Sequence, residues 1–148
     1  MDVEIDNLMH LATRFRKAVV AVVEENANAR LSGFPIDVFP RGACGEASRL
    51  LATYLREHGR GEFEYCFGLR PGKSHAWLRR DELIVDITAD QFEDQDCPVI
   101  VTRNQAWHST FHDVREGTAY YDNYPDDARN WMLRFYQYIT QKIPSTVP

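Results

Sequence analysis

The stretch Ser74-His-Ala-Trp-Leu-Arg-Arg-Asp-Glu-Leu-Ile-Val-Asp-Ile-Thr88 reads as two short strands around a polar turn. Ser74 to Arg79 and Leu83 to Thr88 flank Arg80-Asp81. A two-residue loop at Arg80-Asp81 pairs Arg79 with Glu82, Trp77 with Ile84 and His75 with Asp86. Directly opposed residues of antiparallel strands share a face, with Cβ atoms roughly 4.5–5.5 Å apart. This register predicts contact between His75 and Asp86 and gathers Ala76, Leu78, Leu83, Val85 and Ile87 on the other face. The hairpin is thus expected to have one buried apolar face and one face carrying His75, Trp77 and Asp86. A slip of one residue would undo both patterns.

On the N-terminal side, Glu62 to Leu69 alternates and carries aromatics, as a strand does, before Pro71-Gly72 breaks it. On the C-terminal side, Pro98 to Thr102 makes a fourth short β run. Apolar residues recur at three and four from about Val3 to Asn26, again from Ala43 to the stop at Gly59, and again from Asp126 to Lys142. In the last of these, Trp131, Phe135 and Tyr138 form a stripe read as core. Ala27 to Arg41, with Gly33, Pro35 and Pro40, reads as a loop. Helix, helix, several strands and helix is an α+β plan. With no repeat, linker or compositional shift, residues 1–148 are expected to form a single domain.

The 148 residues carry 17 Lys+Arg against 22 Asp+Glu, a net charge of −5, and 44% apolar residues. These are the values of a folded globular chain, and they disfavour disorder, nucleic acid and anionic lipid. No run approaches the roughly 20 apolar residues of a membrane span, and the N-terminus has no Sec-type signal. Three cysteines, Cys44, Cys66 and Cys97, cannot all pair and form no C-x-x-C, so a reducing cytoplasmic setting is expected, with delivery as an effector by a non-Sec route as a further option.

Phe39-Pro-Arg-Gly-Ala-Cys-Gly-Glu-Ala-Ser48 sets Cys44 among small residues at an expected helix start. Unpaired backbone N–H groups and the positive end of the helix dipole favour thiolate there. Alone, such a cysteine also fits a buried filler, and a His–Asp pair also fits a surface or capping pair. A thiolate nucleophile, however, requires a base and an orienting acid, and His75 and Asp86 supply both.

Cys44 at a helix start, His-Ala-Trp at His75 to Trp77 and Asp-x-Thr at Asp86 to Thr88 together resemble the transglutaminase-like branch of the papain-like cysteine-enzyme superfamily. The resemblance spans about Phe39 to Phe92. It implies a nucleophile helix packed on a small antiparallel sheet, with terminal helices added. It also implies Cys44 as nucleophile, His75 as general base and then acid, and Asp86 as the group that fixes the imidazole. The glutamine that papain-like peptidases carry before the cysteine is missing from Asp37-Val38-Phe39-Pro40. An oxyanion hole would therefore use the Cys44 N–H with another donor, and the oxyanion and supporting candidates are Ala43, Gly45, Gln91, Trp77 and Trp107. Arg41-Gly42-x-Cys44-x-Glu46 is also similar to the cysteine motif of arylamine N-acetyltransferases, which are longer.

The implied function is amide hydrolysis or acyl transfer through a thioester on a protein or peptide, of peptidase, glutamine deamidase or transglutaminase type, without metal or cofactor. The alternative is an inactive domain of this kind that binds proteins. Cys66 and Cys97 read as structural, Asp90 as the rival of Asp86, and Glu46 as a dipole-complementing residue. His108 and His112 read as surface residues rather than metal ligands.

Overall fold

The computed structural model describes residues 2–25, 39–41 and 43–144. Most of the loop expected at Ala27 to Arg41, and Gly42 of the cysteine motif, lie outside them. Helix α1 (Val3–Glu25) is followed by α2 (Cys44–Glu57). Then come strands β1 (Glu64–Arg70), β2 (Lys73–Arg80), β3 (Leu83–Asp86), β4 (Ile100–Thr102) and β5 (His112–Thr118), and finally α3 (Asp126–Gln141). The strands form one antiparallel sheet in the order β4-β3-β2-β1-β5. The architecture is α+β. Among the described residues no helix is long and apolar enough to cross a membrane.

The hairpin register differs from the expected one by two residues. Leu78 pairs with Val85, Arg79 with Ile84 and Arg80 with Leu83, so the turn falls on Asp81-Glu82. Asp81 takes φ 55°, a left-handed conformation that Asp tolerates better than most residues and that the tight turn uses. An even shift preserves the faces. Continuing the count, Asp86 lies opposite Trp77, and His75 is its diagonal neighbour on the same face, within reach of a long side chain.

The expectation of only one buried face is corrected. Leu78, Leu83, Val85 and Ile87 join the main core with Phe15, Leu50, Leu51 and Phe135, but His75, Trp77, Ile84 and Asp86 are buried as well. Phe92 and Phe111, with Trp107 packed against them, cover that second face and enclose Cys66, Trp77 and Ile84. The cover comes from the chain between β3 and β5.

Helix α1 buries Leu8, Ala12, Phe15, Val19 and Val22, a stripe at intervals of three and four. Helix α2 packs on β2 and ends where Gly59 (φ 72°) lets Arg60 N–H reach the Leu55 carbonyl at 2.9 Å, a Schellman closure. Burying each large apolar side chain stabilises the fold by about 1.5–3 kcal/mol, which outweighs the small cost of an uncapped helix start. In α3, Phe135 is buried as expected and Trp131 packs partly against the core, whereas Tyr138 is exposed, which corrects its reading as core. The core side of this helix instead uses Met132 and Tyr136.

Strand β5 was not expected. His112-Asp-Val-Arg-Glu-Gly-Thr118 has no apolar alternation and every residue in it is exposed. It pairs with β1 across an irregularity between Phe67 and Leu69. A Cβ at Gly68 would sit 2.8 Å from Phe111 Cβ and 3.1 Å from Val114 Cγ2, so glycine permits the close approach of the Phe111 segment.

Candidate active site

At the open end of the β2–β3 ladder, His75 Nε2 lies 2.7 Å from Asp86 Oδ2, with both side chains sealed from solvent. Asp86 Oδ1 accepts the Thr88 backbone N–H at 3.0 Å. His108, from the 3-10 turn His108–Thr110, places its Nε2 2.7 Å from the same Oδ2. Burial favours the neutral acid, but the charge of His75 and the hydrogen bonds from both imidazoles override it and hold the Asp86 carboxyl far below the usual carboxylate range. An ionised carboxylate only accepts, so each of these Nε2 atoms carries the proton it donates.

The tautomer follows. His75 gives Nε2–H to the interior and turns Nδ1 toward Gln91 and Cys44. Gln91 Nε2 stands 3.3 Å from Nδ1 and also donates to the Thr88 carbonyl at 2.9 Å. Burial alone would lower the affinity of His75 for a proton, but Asp86, by charge and hydrogen bond, and Cys44 in the same two ways raise its pKa to about 9. The Gln91 contact, at 3.3 Å, is long for a hydrogen bond.

Cys44 is the first residue of α2, half-buried and not in a disulfide. Ala43, the residue before it, is fully buried and gives no side-chain cap, so no side chain of the cap residue takes up the first-turn N–H groups. At Gly45 an added Cβ would lie 3.2 Å from both Arg49 Nη1 and Tyr65 Oη. The Tyr65 hydroxyl is thus beside the first turn of α2 and interacts electrostatically with Cys44. Burial pushes its ionisation upward, so it is held as a neutral donor. No sequence signal marked Tyr65, because its strand position does not reveal which helix turn it meets.

Cys44 and Gln91 both line a cleft of about 560 Å³, together with Arg41, Lys73, Ser74, Phe92 and Glu93. A larger depression, about 720 Å³ and lined by Arg56, Glu62, Glu64, Glu116 and Asp122 among others, holds none of the Cys44, His75 and Asp86 groups.

The remaining candidates separate clearly. Trp77 lies in the buried face, 5.6 Å from the His75 ring between centroids, and does not line the cleft. Trp107 donates its indole N–H to Asp94 at 3.1 Å, so that side-chain donor is already engaged. Asp90, the rival acid, is bound to Arg16 at 2.8 and 2.9 Å. Cys66 is fully buried, as expected, and burial pushes its thiol up to about 11. Cys97 is exposed, correcting the reading of it as a packing residue. His112 is exposed, as expected, but His108 is 3% exposed and bonded to Asp86, which corrects its reading as a surface residue. Trp107 and Phe111 on either side of His108 hinted at burial, but nothing local linked it to Asp86.

His75, Asp86 and His108 also form the one group among the described residues whose ligand atoms gather within 4.8 Å. Their 2.7 Å separations are those of hydrogen bonds with a proton between the atoms. Tetrahedral zinc, bound at about 2.0–2.1 Å, holds ligand atoms roughly 3.3 Å apart. As arranged, the three residues fit a shared proton network rather than a metal ion.

No protein-family model matches this chain, and neither does any curated protein or solved structure. The chemistry of the site therefore rests on its own geometry.

Proposed function

We propose that the protein is a cysteine-dependent amide hydrolase or acyltransferase, acting on a protein or peptide through a thioester on Cys44. The supporting observation is the division of the His75 ring. Nε2 is held by an ionised, solvent-free Asp86, while Nδ1 is directed to the side where Cys44 lines a cleft. That division is what a nucleophile–base–acid relay requires.

In this reading the Cys44 thiol proton passes to His75 Nδ1 and the thiolate attacks an amide carbonyl. The tetrahedral oxyanion is met by the Cys44 backbone N–H and by the carboxamide of Gln91. His75 returns the proton to the departing amine, leaving a thioester. Water then releases an acid, with its proton taken up again by His75, or an amine takes the acyl group. The residues have the order and roles of the transglutaminase-like enzymes that the sequence resembles, and the absent upstream glutamine is offset by Gln91 from the other side of the cleft. A reducing cytoplasmic compartment suits an unpaired nucleophilic cysteine.

Alkylation tests the reading, with exposed Cys97 as an internal reference. Near neutral pH, iodoacetamide should modify Cys44 at least about tenfold faster than Cys97, and His75→Ala should erase the difference. Equal rates in the parent protein would instead favour a protein-binding domain without activity. Electrophilic probes built on peptide amide, glutamine and thioester carbonyls would then separate the reaction types.

A further inference from the structure

We propose that His108 is a positioning residue of this site, holding the same Asp86 oxygen that His75 uses and so fixing the carboxylate against which the His75 ring is oriented. The inference rests on the reading of Cys44 as nucleophile and His75 as its base.

The geometry is nearly symmetrical. Both imidazoles present Nε2 at 2.7 Å to one oxygen, Asp86 Oδ2, and the two rings lie at 26° to each other with centroids 6.3 Å apart. With the Thr88 N–H on Oδ1, the buried carboxylate has three donors. Of these donors, His75 has its other nitrogen beside Gln91, a residue of the cleft wall.

His108 is itself firmly seated. Its ring packs against Trp77 at 4.9 Å and Trp107 at 4.8 Å. The turn that carries it is tied down on both sides. Ser109 N–H reaches the Gln105 carbonyl at 2.8 Å, and Trp107 is bound to Asp94, which Arg70 of β1 grips with two nitrogens at 3.1 Å. Arg70 also bonds Thr110 Oγ1 at the end of the turn. A side chain so braced holds its acceptor in place.

The electrostatic consequence follows from sharing. Two donors on Oδ2 divide its negative charge, so Asp86 holds the His75 proton less tightly than it would alone. The groups facing His75 are Asp86, His108 on the same carboxylate oxygen, and Cys44, while Arg41, Lys73 and Glu93 line the cleft with Cys44. Removing the His108 donor leaves His75 as the sole side-chain donor to Oδ2, and the His75 proton should become harder to remove.

The test compares His108→Gln, whose amide nitrogen can occupy the Nε2 position, with His108→Leu, which has no donor. The His75 ring is titrated by NMR, and Cys44 alkylation by iodoacetamide is followed from pH 5 to 10. His108→Leu should move the His75 midpoint up by about half a pH unit or more and carry the upper limb of the alkylation profile with it. His108→Gln should leave both near the parent values. Unchanged midpoints in a folded His108→Leu protein would overturn the proposal. If that variant does not fold, His108→Asn replaces it, since its shorter amide falls short of Asp86. Equal Asn and Gln midpoints would then overturn the proposal. A midpoint that follows His108 while parent Cys44 reacts like Cys97 would sink the nucleophile reading alone, and fast Cys44 with an unmoved midpoint would sink only the role of His108.

Discussion

Arg16 in the middle of α1 grips Asp90 with both terminal nitrogens, at 2.8 and 2.9 Å, and also donates to the Ile87 carbonyl at 2.5 Å. Asp90 lies in the same 3-10 turn as Gln91, and Ile87 directly follows Asp86. A helix outside the Cys–His–Asp segment thus anchors the loop that leads from the acid to the cleft.

Arg16→Ala should cost about 2–3 kcal/mol in urea denaturation, because a largely buried bidentate pair is broken and Asp90 is left without its partner. Cys44 alkylation should slow as Gln91 loses its mooring, with Arg16→Lys intermediate. A loss of stability with an unaltered alkylation rate would limit Arg16 to packing.

The His75–Asp86 pair predicts how stability varies with pH. The folded state raises the proton affinity of His75 from 6.5 to about 9, so its contribution is complete below about pH 6.5 and is lost as pH rises through 9. Asp86 is lowered from 3.8, so its contribution is present above that value and is lost on acidification. Thermal stability should therefore be greatest between about pH 4 and 6.5 and fall by on the order of 3 kcal/mol by pH 10. Asp86→Asn should flatten the alkaline decline attributed to His75, and an identical slope in that variant would refute the assignment.

Gly68→Ala should destabilise the protein by about 1–3 kcal/mol, since the new methyl must displace Phe111 or Val114. The strain falls on the aromatic cover of His75, so the Phe111 and Trp107 ring signals should shift in NMR spectra. Parent-like stability would mean that the β1–β5 junction is looser than its spacing.

The three thiols should titrate as three classes with a disulfide reagent at pH 7. Exposed Cys97 reacts at the rate of an ordinary thiol, Cys44 reacts faster, and Cys66, sealed and raised to about 11, reacts only after unfolding. Modification of Cys66 in the folded protein would contradict the dry second face.

Much of this was legible in the residues. Helices α1, α2 and α3 were marked by apolar intervals, and the α2 start by Cys44 among small residues. The hairpin was visible in alternation, yet its turn was misplaced because Arg80-Asp81 and Asp81-Glu82 are equally polar and both registers keep His75 and Asp86 on one face. Strand β5 left no trace, since an edge strand with both faces in water carries no apolar period. The cover over His75 was hidden for a related reason: Phe92, Trp107 and Phe111 are isolated aromatics in polar sequence and become a layer only when the chain folds back. His108 was missed because its partner lies on another element, beyond any local spacing rule.

Strand β5 also limits what can be added to the sheet. Its outer side presents His112, Asp113, Arg115 and Glu116, all exposed, and Glu116 is engaged with Arg79 across β1. A foreign strand aligning there would meet charges of both signs and no apolar row to bury. On that flank the protein resists growth by strand addition, leaving its buried aromatic layer inaccessible to neighbouring chains.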